Sequence, residues 1–464
     1  MLRSLLRVER DRSTRLALFA LLLVALALPL AGGCSQMRQA TGGSKLTERQ
    51  RELNLESFNY VSETLRTRNW DPTLGGVDWD SLHAALEPEV AQAKTMPEAR
   101  QAMQRMTAAL GQSHCAIMSA DIYADLRPDA EDDAAEEAGA EADGDGAPGF
   151  DVRVIGGQAL VTAVQEGSPA ERVGVRPGWE ILEIGEREIP PMLASLTERF
   201  ADETYAELLL SSALMRRFDG AVGSSVAVTF RTGTDEVAAR EITLVQPRGL
   251  KARFGNLPEL QVWIETERLP GDIGYIAFNY FLDPLNVMRV YNEAMNEYLD
   301  AAGVIIDVRG NEGGLGAMAM GMASWFFEEK GSRLGTMYTR EGEVNFVVSP
   351  RPRTFDGPVA VLVDGLSAST SEIFAGGLQD LGRVRIFGSR TAGAALPSVI
   401  EKLPNGDGFQ YPIANYISEG GEPLEGRGVM PDVKLVPSRR ALLQGRDPAL
   451  DAAVAWIGAQ RATS

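Results

Sequence analysis

A hydroxyl becomes a nucleophile when a neighbouring base takes its proton and nearby N–H groups receive the charge that develops. The string VLVDGLSASTSEIFAGGLQDLG, residues 361–382, prepares the second condition. An apolar, strand-like run feeds a loop holding Ser367, Ser369 and Thr370, and a helix is expected from about Ser371. The hydroxyls then sit where a helix N-terminus turns its N–H groups and positive dipole end outward. The plainer alternative is that they only cap that helix, a role serine and threonine favour anyway. For a base the chain has two histidines, His83 and His114. Its two cysteines, Cys34 and Cys115, are too few for a disulfide framework or a thiolate zinc site. Gly313-Gly314 and Gly420-Gly421 lack the spacing of a Walker loop or a dinucleotide fingerprint, so nucleotide chemistry is unsupported.

Several elements must position these groups. Residues 47–127 read as a small helical domain, in which Leu53, Leu55, Phe58, Val61 and Leu65 share one helical face and Met103, Met106 and Leu110 another. Residues 128–149 hold nine acidic side chains, no basic one and no large apolar one, and are expected to be a disordered linker. Calcium binding by this run is the lesser alternative. Residues 150–247 read as a β domain with one compact helix: Ser168 suits the N-cap, Pro169 the first helical position and Gly174 the left-handed end. Pro177-Gly178 turns the chain into a strand at 179–184, with later strands at 225–231 and 241–245. A long helical insertion, 190–220, carries no evident role. Residues 259–440 alternate apolar runs (GYIAF, GVIIDVR, PVAVLVD) with helices expected at 284–301 and 314–327, which predicts an α/β core with a partly parallel sheet in an α+β multidomain chain. Residues 441–464 are expected to be a C-terminal helix, 448–457, and a tail.

Four strings in order, ALGQSHCAI, IIDVRGNEGG, VDGLSASTSEIFAGGLQDLGR and EGRGVMPD, around a stretch from Phe150 that resembles a bacterial, permuted PDZ domain, resemble the C-terminal processing peptidases and the tricorn core peptidase. The resemblance spans roughly residues 53–436 without the acidic linker. It implies a serine-type endopeptidase working through an acyl-enzyme, with no metal or organic cofactor, and peptides or poorly folded proteins as substrates. The embedded PDZ implies uptake of an extended peptide, with some selection for apolar C-termini. The alternative is that the PDZ fold serves only as a spacer or lid.

The same resemblance assigns roles. The nucleophile is the serine two before that of Ser-Glu-Ile, which is Ser369, with Ser367 and Ser371 as capping or positioning neighbours. In the branch with a Ser-Lys dyad, a lysine follows twenty-five residues later; here that position is Ala394, in Thr391-Ala392-Gly393-Ala394-Ala395. The dyad is therefore absent unless Lys402 reaches back. The tricorn-like branch pairs Ser113 with His114, the candidate general base, and adds a glutamate just before Gly-x-Gly-Val-x-Pro-Asp. Glu425 fits that place and Glu422 competes. A neutral imidazole, with a reference pKa near 6.5, is able to take the serine proton at neutral pH. Oxyanion donors are expected from Thr370 N–H and from Gly313 or Gly314, where glycines let backbone approach a substrate. Asp307 and Arg309 are expected to brace that turn. His83 reads as a surface or half-buried helix residue, and Cys115 as a variable neighbour rather than a nucleophile.

The first fifteen residues are arginine-rich, residues 16–31 are apolar and uncharged, and Leu30-Ala31-Gly32-Gly33-Cys34 resembles a lipobox with its leucine one residue early. Residues 1–33 are read as a lipoprotein signal peptide, Cys34 as the lipidation site and 34–46 as a tether, placing the protein at the extracytoplasmic face of a bacterial envelope. An uncleaved anchor is the alternative. Forty-five Lys plus Arg against 64 Asp plus Glu give a net charge of -19, which repels phosphate backbones and argues against nucleic acid. A hydrophobic share of 44% with 23% charged residues excludes a disordered or polytopic membrane protein. Other expectations kept open are a catalytically silent PDZ scaffold or peptide-binding protein, and an esterase using the same constellation.

Overall fold

A computed structural model describes residues 46–119 and 146–461, apart from 202, 219 and 253–258, together with the backbone of Val24–Leu26. Cys34, the tether up to residue 45 and most of the acidic run lie outside the described residues, while Leu46, read as the tether's end, is buried in the helical core. Three helices open the described chain: α1 Glu48–Arg68, α2 Trp79–Gln92 and α3 Met96–Ala108. Each begins on a side-chain cap. Thr47 Oγ1 accepts from Gln50 N while Gln50 Oε1 accepts from Thr47 N, a reciprocal capping box. Asp78 and Thr95 cap the other two. Phe58, Val61 and Leu65 of α1 and Met103 and Met106 of α3 are buried, as their spacing predicts. This core is not closed on itself: Leu403, Phe409 and Tyr411, from far down the chain, complete it. After α3 the chain forms β1, Ala116–Met118, which belongs to a sheet of the peptide's other end, so the helical unit stops short of residue 127.

The second unit is an antiparallel sheet of β2 Phe150–Ile155, β3 Gln158–Val164, β4 Glu180–Ile184, β5 Ser225–Arg231 and β6 Val237–Thr243, in that order. Between β3 and β4 lies α4, Pro169–Arg172, with Ser168 as cap and Gly174 in the left-handed region. Two expectations shift. The last strand begins at Val237 rather than 241, because β6 pairs along all of β5. The unit also begins at 146, since Gly146 N donates to Gly220 O and Ala147 bridges Val245. The insertion is a helical hairpin, α5 Ile189–Arg199 and α6 Ala206–Met215.

The core sheet runs β7 Ile264–Leu269, β8 Ile273–Phe278, β9 Gly303–Asp307, β13 Val359–Val363, β14 Arg385–Gly388 and β18 Val433–Lys434. Only β7 is antiparallel to its neighbour; every other pair is parallel. Alternation sorts the side chains: Ile276, Val304, Ile306, Val361 and Val363 meet α7 Pro284–Glu297, α8 Gly316–Ala323 and α9 Thr370–Asp380. The other face, with Ile305, Ala360, Leu362 and Phe387, packs on Ala449, Ala453 and Ile457 of α11 Pro448–Arg461. Residues 448–461 are thus one layer of the core, not an appended tail. A short strand, β10 Gly313–Leu315, precedes α8. Two small sheets flank the layers: β11 Arg333–Thr339 between β12 Gly342–Val347 and β17 Ala414–Ser418, and β16 Gly408–Pro412 between β15 Ser398–Lys402 and β1. A short helix, α10 Arg439–Leu443, leads into α11.

Candidate active site

In parallel sheets, reactive groups collect beyond the carboxyl ends of the strands. Here β13 ends at Val363 and the chain turns through 364–368 into α9, with Ser369 as its N-cap at φ 58, ψ -117. A non-glycine residue there is strained and must be held. Two acceptors hold it, because Ser369 N donates to Glu372 Oε2 (2.9 Å) and to Ala394 O (2.9 Å). The flanking hydroxyls turn inward: Ser367 Oγ donates to Val308 O and Ser371 Oγ to Asn311 O, both at 2.7–2.8 Å. Both therefore tie the serine loop to the turn that follows β9. In that turn a Cβ on Gly313 would come 2.7 Å from Ser369 Cβ, so only glycine allows this approach. Gly313 N is already donated to Asn311 Oδ1 (3.0 Å), and Thr370 Oγ1 to Gly314 O (2.7 Å). Asp307 and Arg309 pair at 2.6 Å, with Asp447 as a further partner of Arg309, and brace the turn as expected.

The histidine arrives from the helical unit. α3 ends at Ala108, Gly111 turns the chain, and β1 docks on β16, which leaves Ser113 and His114 between them, His114 at φ 57. Ser113 Oγ donates to Glu425 Oε2 (2.9 Å) and lies 2.7 Å from His114 Nδ1. Since that hydroxyl proton goes to the carboxylate, its oxygen accepts from Nδ1–H, which assigns the neutral tautomer with a lone pair on Nε2. Nε2 is buried and has no partner among the described residues, an orphan acceptor of the kind that marks a functional group. Burial pushes the His114 pKa down to about 4, so the ring is neutral at neutral pH.

The loop 391–395 joins the two halves. Glu425 Oε2 also accepts from Ala395 N (2.9 Å), and the next carbonyl back, Ala394 O, receives Ser369 N. Glu372 accepts from Thr391 Oγ1 (2.6 Å), Gly393 N (2.7 Å) and Ala394 N (3.0 Å) besides Ser369 N. Burial lifts the Glu372 carboxyl to about 7 while those four donors favour its charge. Burial likewise raises Glu425, again against the bonds from Ala395 and Ser113. Glu422 is exposed and makes none of these contacts, so the two candidate glutamates are separated by geometry. Ala394 is buried in this loop, whereas Lys402 is exposed on β15. His83 is half-buried on α2 and bonds Asn59, and burial raises the Cys115 thiol far above its ordinary range. Among the described residues no group of three His, Cys, Asp or Glu converges on a metal position. The sequence reading missed Glu372 and Asn311; the Ser-x-x-Glu spacing of a capping box at 369 and 372 was the available signal for the first.

Residues 272–435 match the family model described as Peptidase family S41, and residues 51–108 match that of the Tricorn protease C1 domain. A probable CtpA-like serine protease of Staphylococcus aureus (strain N315) is 23% identical over 292 residues, 60% of this chain and 50% of that protein. The chloroplastic carboxyl-terminal-processing peptidase 3 of Arabidopsis thaliana is 28% identical over 290 residues, with the same two shares. The chain thus spans about half the length of the curated relatives it matches. Among solved structures, mature CPAF superposes with a TM-score of 0.61 at 13% identity over 89% of this chain and 98% of that one. A photosystem II D1 C-terminal processing protease gives 0.53 at 21% over 87% and 99%. These structural likenesses concern the fold. The core thus resembles a peptidase domain of family S41, and the helical unit resembles a tricorn C1 domain.

Proposed function

We propose that the chain is a serine endopeptidase that uses Ser369 as nucleophile and His114 as general base, oriented by Ser113 and Glu425. The observation that carries the reading is the Glu425–Ser113–His114 relay, whose last member keeps a buried Nε2 without a partner among the described residues, tied through Ala395 and Ala394 to the backbone of Ser369. In the reaction, Ser369 Oγ attacks the scissile carbonyl carbon as its proton passes to His114 Nε2. The carbonyl oxygen becomes an oxyanion. With Gly313 N already donated to Asn311, Gly314 N and Thr370 N are the donors assigned to it. Collapse of the intermediate breaks the C–N bond, and His114 gives its proton to the leaving amine. Water then hydrolyses the ester, with the proton moving through His114 again.

An extended substrate is supported by β10. One edge of this strand pairs with Phe281, and the other pairs antiparallel with the backbone of Val24–Leu26, in the register Leu26 to Gly313. An added strand is therefore accommodated beside Ser369. The sheet unit from 146 to 247 is read as a PDZ-like receptor for the C-terminal end of a substrate, and Cys34 as a lipid anchor at the envelope. Both of these rest on the sequence alone. The experiment is turnover of an unfolded protein and of a short peptide ester. Ser369→Ala is expected to abolish cleavage of the protein. Hydrolysis of the ester without the protein would move the assignment to an esterase, and cleavage retained in Ser369→Ala would end it.

A further inference from the structure

The helical hairpin inserted in the second unit has so far no role, yet its second helix begins at the serine loop. Leu208, 2% exposed, packs with Leu366, Ala368, Ala392 and Ala394, and Tyr205 covers the same cluster. Leu366 and Ala368 lead into Ser369, while Ala392 and Ala394 belong to the loop that carries the acceptor of Ser369 N. The backbone joins the contact: the Arg390 guanidinium donates to Thr204 O (2.8 Å) and Thr204 Oγ1 to Gly393 O (3.5 Å). Glu207 lies against Gly365, leaving no room for a Cβ there. On the other half of the site, the charge of Glu425 acts on the Tyr205 hydroxyl, which burial and Glu203 raise above its ordinary range. The head of α6 thus packs on the serine loop and on the 391–395 loop that connects it to Glu425.

We propose that Tyr205 and Leu208 are positioning residues for the acyl-transfer reaction, clamping the outer face of loop 392–395 so that Ser369 and the Glu425–Ser113–His114 relay keep one mutual geometry. The inference rests on the serine-peptidase reading. Toward α6 the loop presents only the small side chains of Ala392 and Ala394, which offer no long side chain to re-pack once the helix lifts. Misplacement by about 1 Å is enough to cost on the order of a hundredfold in rate.

The test is the labelling rate of the full chain by a fluorophosphonate probe, together with kcat and KM on a short peptide. Leu208→Ala and Tyr205→Ala are expected to slow labelling at least tenfold and to lower kcat with KM within about twofold. Both should also displace the acid limb of the labelling-pH profile, since Ala395 would no longer hold Glu425. Leu208→Met should regain most of the rate. If Leu208→Ala fails to fold, Tyr205→Leu reads the same loop by the same measurements. Wild-type labelling rates in both alanine variants, or a rise in KM alone, would overturn the clamp, the latter making these residues a substrate wall. Ser369→Ala is the control: labelling that survives it sinks the peptidase reading itself, whereas labelling lost there but unaltered in the α6 variants sinks only the clamp.

Discussion

His114 and Ser369 both sit at positive φ, among only six non-glycine residues that do so in the described chain, three of which are aspartates. Such strain persists where surrounding contacts over-determine it, and here Glu372, Ala394 and Glu425 supply those contacts. His114→Ala is expected to lower turnover by about two to four decades, the scale for losing a positioned base, while Lys402→Ala leaves it within about twofold. Glu425→Gln should cost far more than Glu422→Gln in the same assay. The pH dependence follows from burial. With its folded pKa depressed from 6.5 to about 4, His114 binds its proton less readily in the folded than in the unfolded chain. Its contribution to stability is complete above about 6.5 and is lost as pH falls toward 4, on the order of 3 kcal/mol in all. Glu207, Glu312 and Glu372, raised to about 7, act in the opposite sense, losing stability as pH rises. The histidine part is isolated by comparing Tm of the wild type and His114→Gln between pH 4 and 7; a constant difference would contradict it. Ser369 and the 113–114 pair stand out in the sequence because motif strings surround them. Glu372 hides in an ordinary capping pattern, and Asn311 in a glycine turn, where only the folded loop reveals the acceptor.

At the scale of elements, strand periodicity located β8, β9 and β13 to within a residue or two, the helical spacing of apolar residues located α1, and capping residues located α4. The hairpins β11–β12 and β15–β16 were not legible, since their buried sides become evident only against partners distant in sequence. The hairpin β15–β16 matters most, because it carries β1 and thereby His114. Arg100 of α3 pairs with Asp407, whose side chain is fully buried at that hairpin's turn, at 2.9 Å. Asn405 also donates to Asp407 Oδ2. Arg100→Met leaves this carboxylate buried without its cation and should destabilise the protein by about 3 kcal/mol. Urea unfolding measures it, and an unchanged midpoint would show the helical unit docked by apolar contact alone.

The whole molecule couples its three units more tightly than a linker-tethered arrangement suggests. The second unit is fastened at α6, at the Arg153–Asp364 pair (3.1 Å), whose carboxylate also accepts Gly310 N, and at α10. There Arg439 bonds Asp235 and Thr232, and Leu443 fits against Gly178. A unit that merely delivered substrate would, when deleted, raise KM for long substrates and spare short ones. With α6 in the serine loop, deletion of 146–247 is expected instead to depress kcat for a short peptide as well, by at least tenfold. Short-peptide kinetics unaltered by the deletion would leave the second unit only the delivery of substrate.

The central claim is that His114 activates Ser369. Peptide-resolved mass spectrometry after timed exposure to diisopropyl fluorophosphate tests it directly. The account predicts one adduct, on Ser369, forming at least a hundredfold more slowly in His114→Ala and as in the wild type in Lys402→Ala. An adduct on another residue, or equal rates with and without the imidazole, would contradict it.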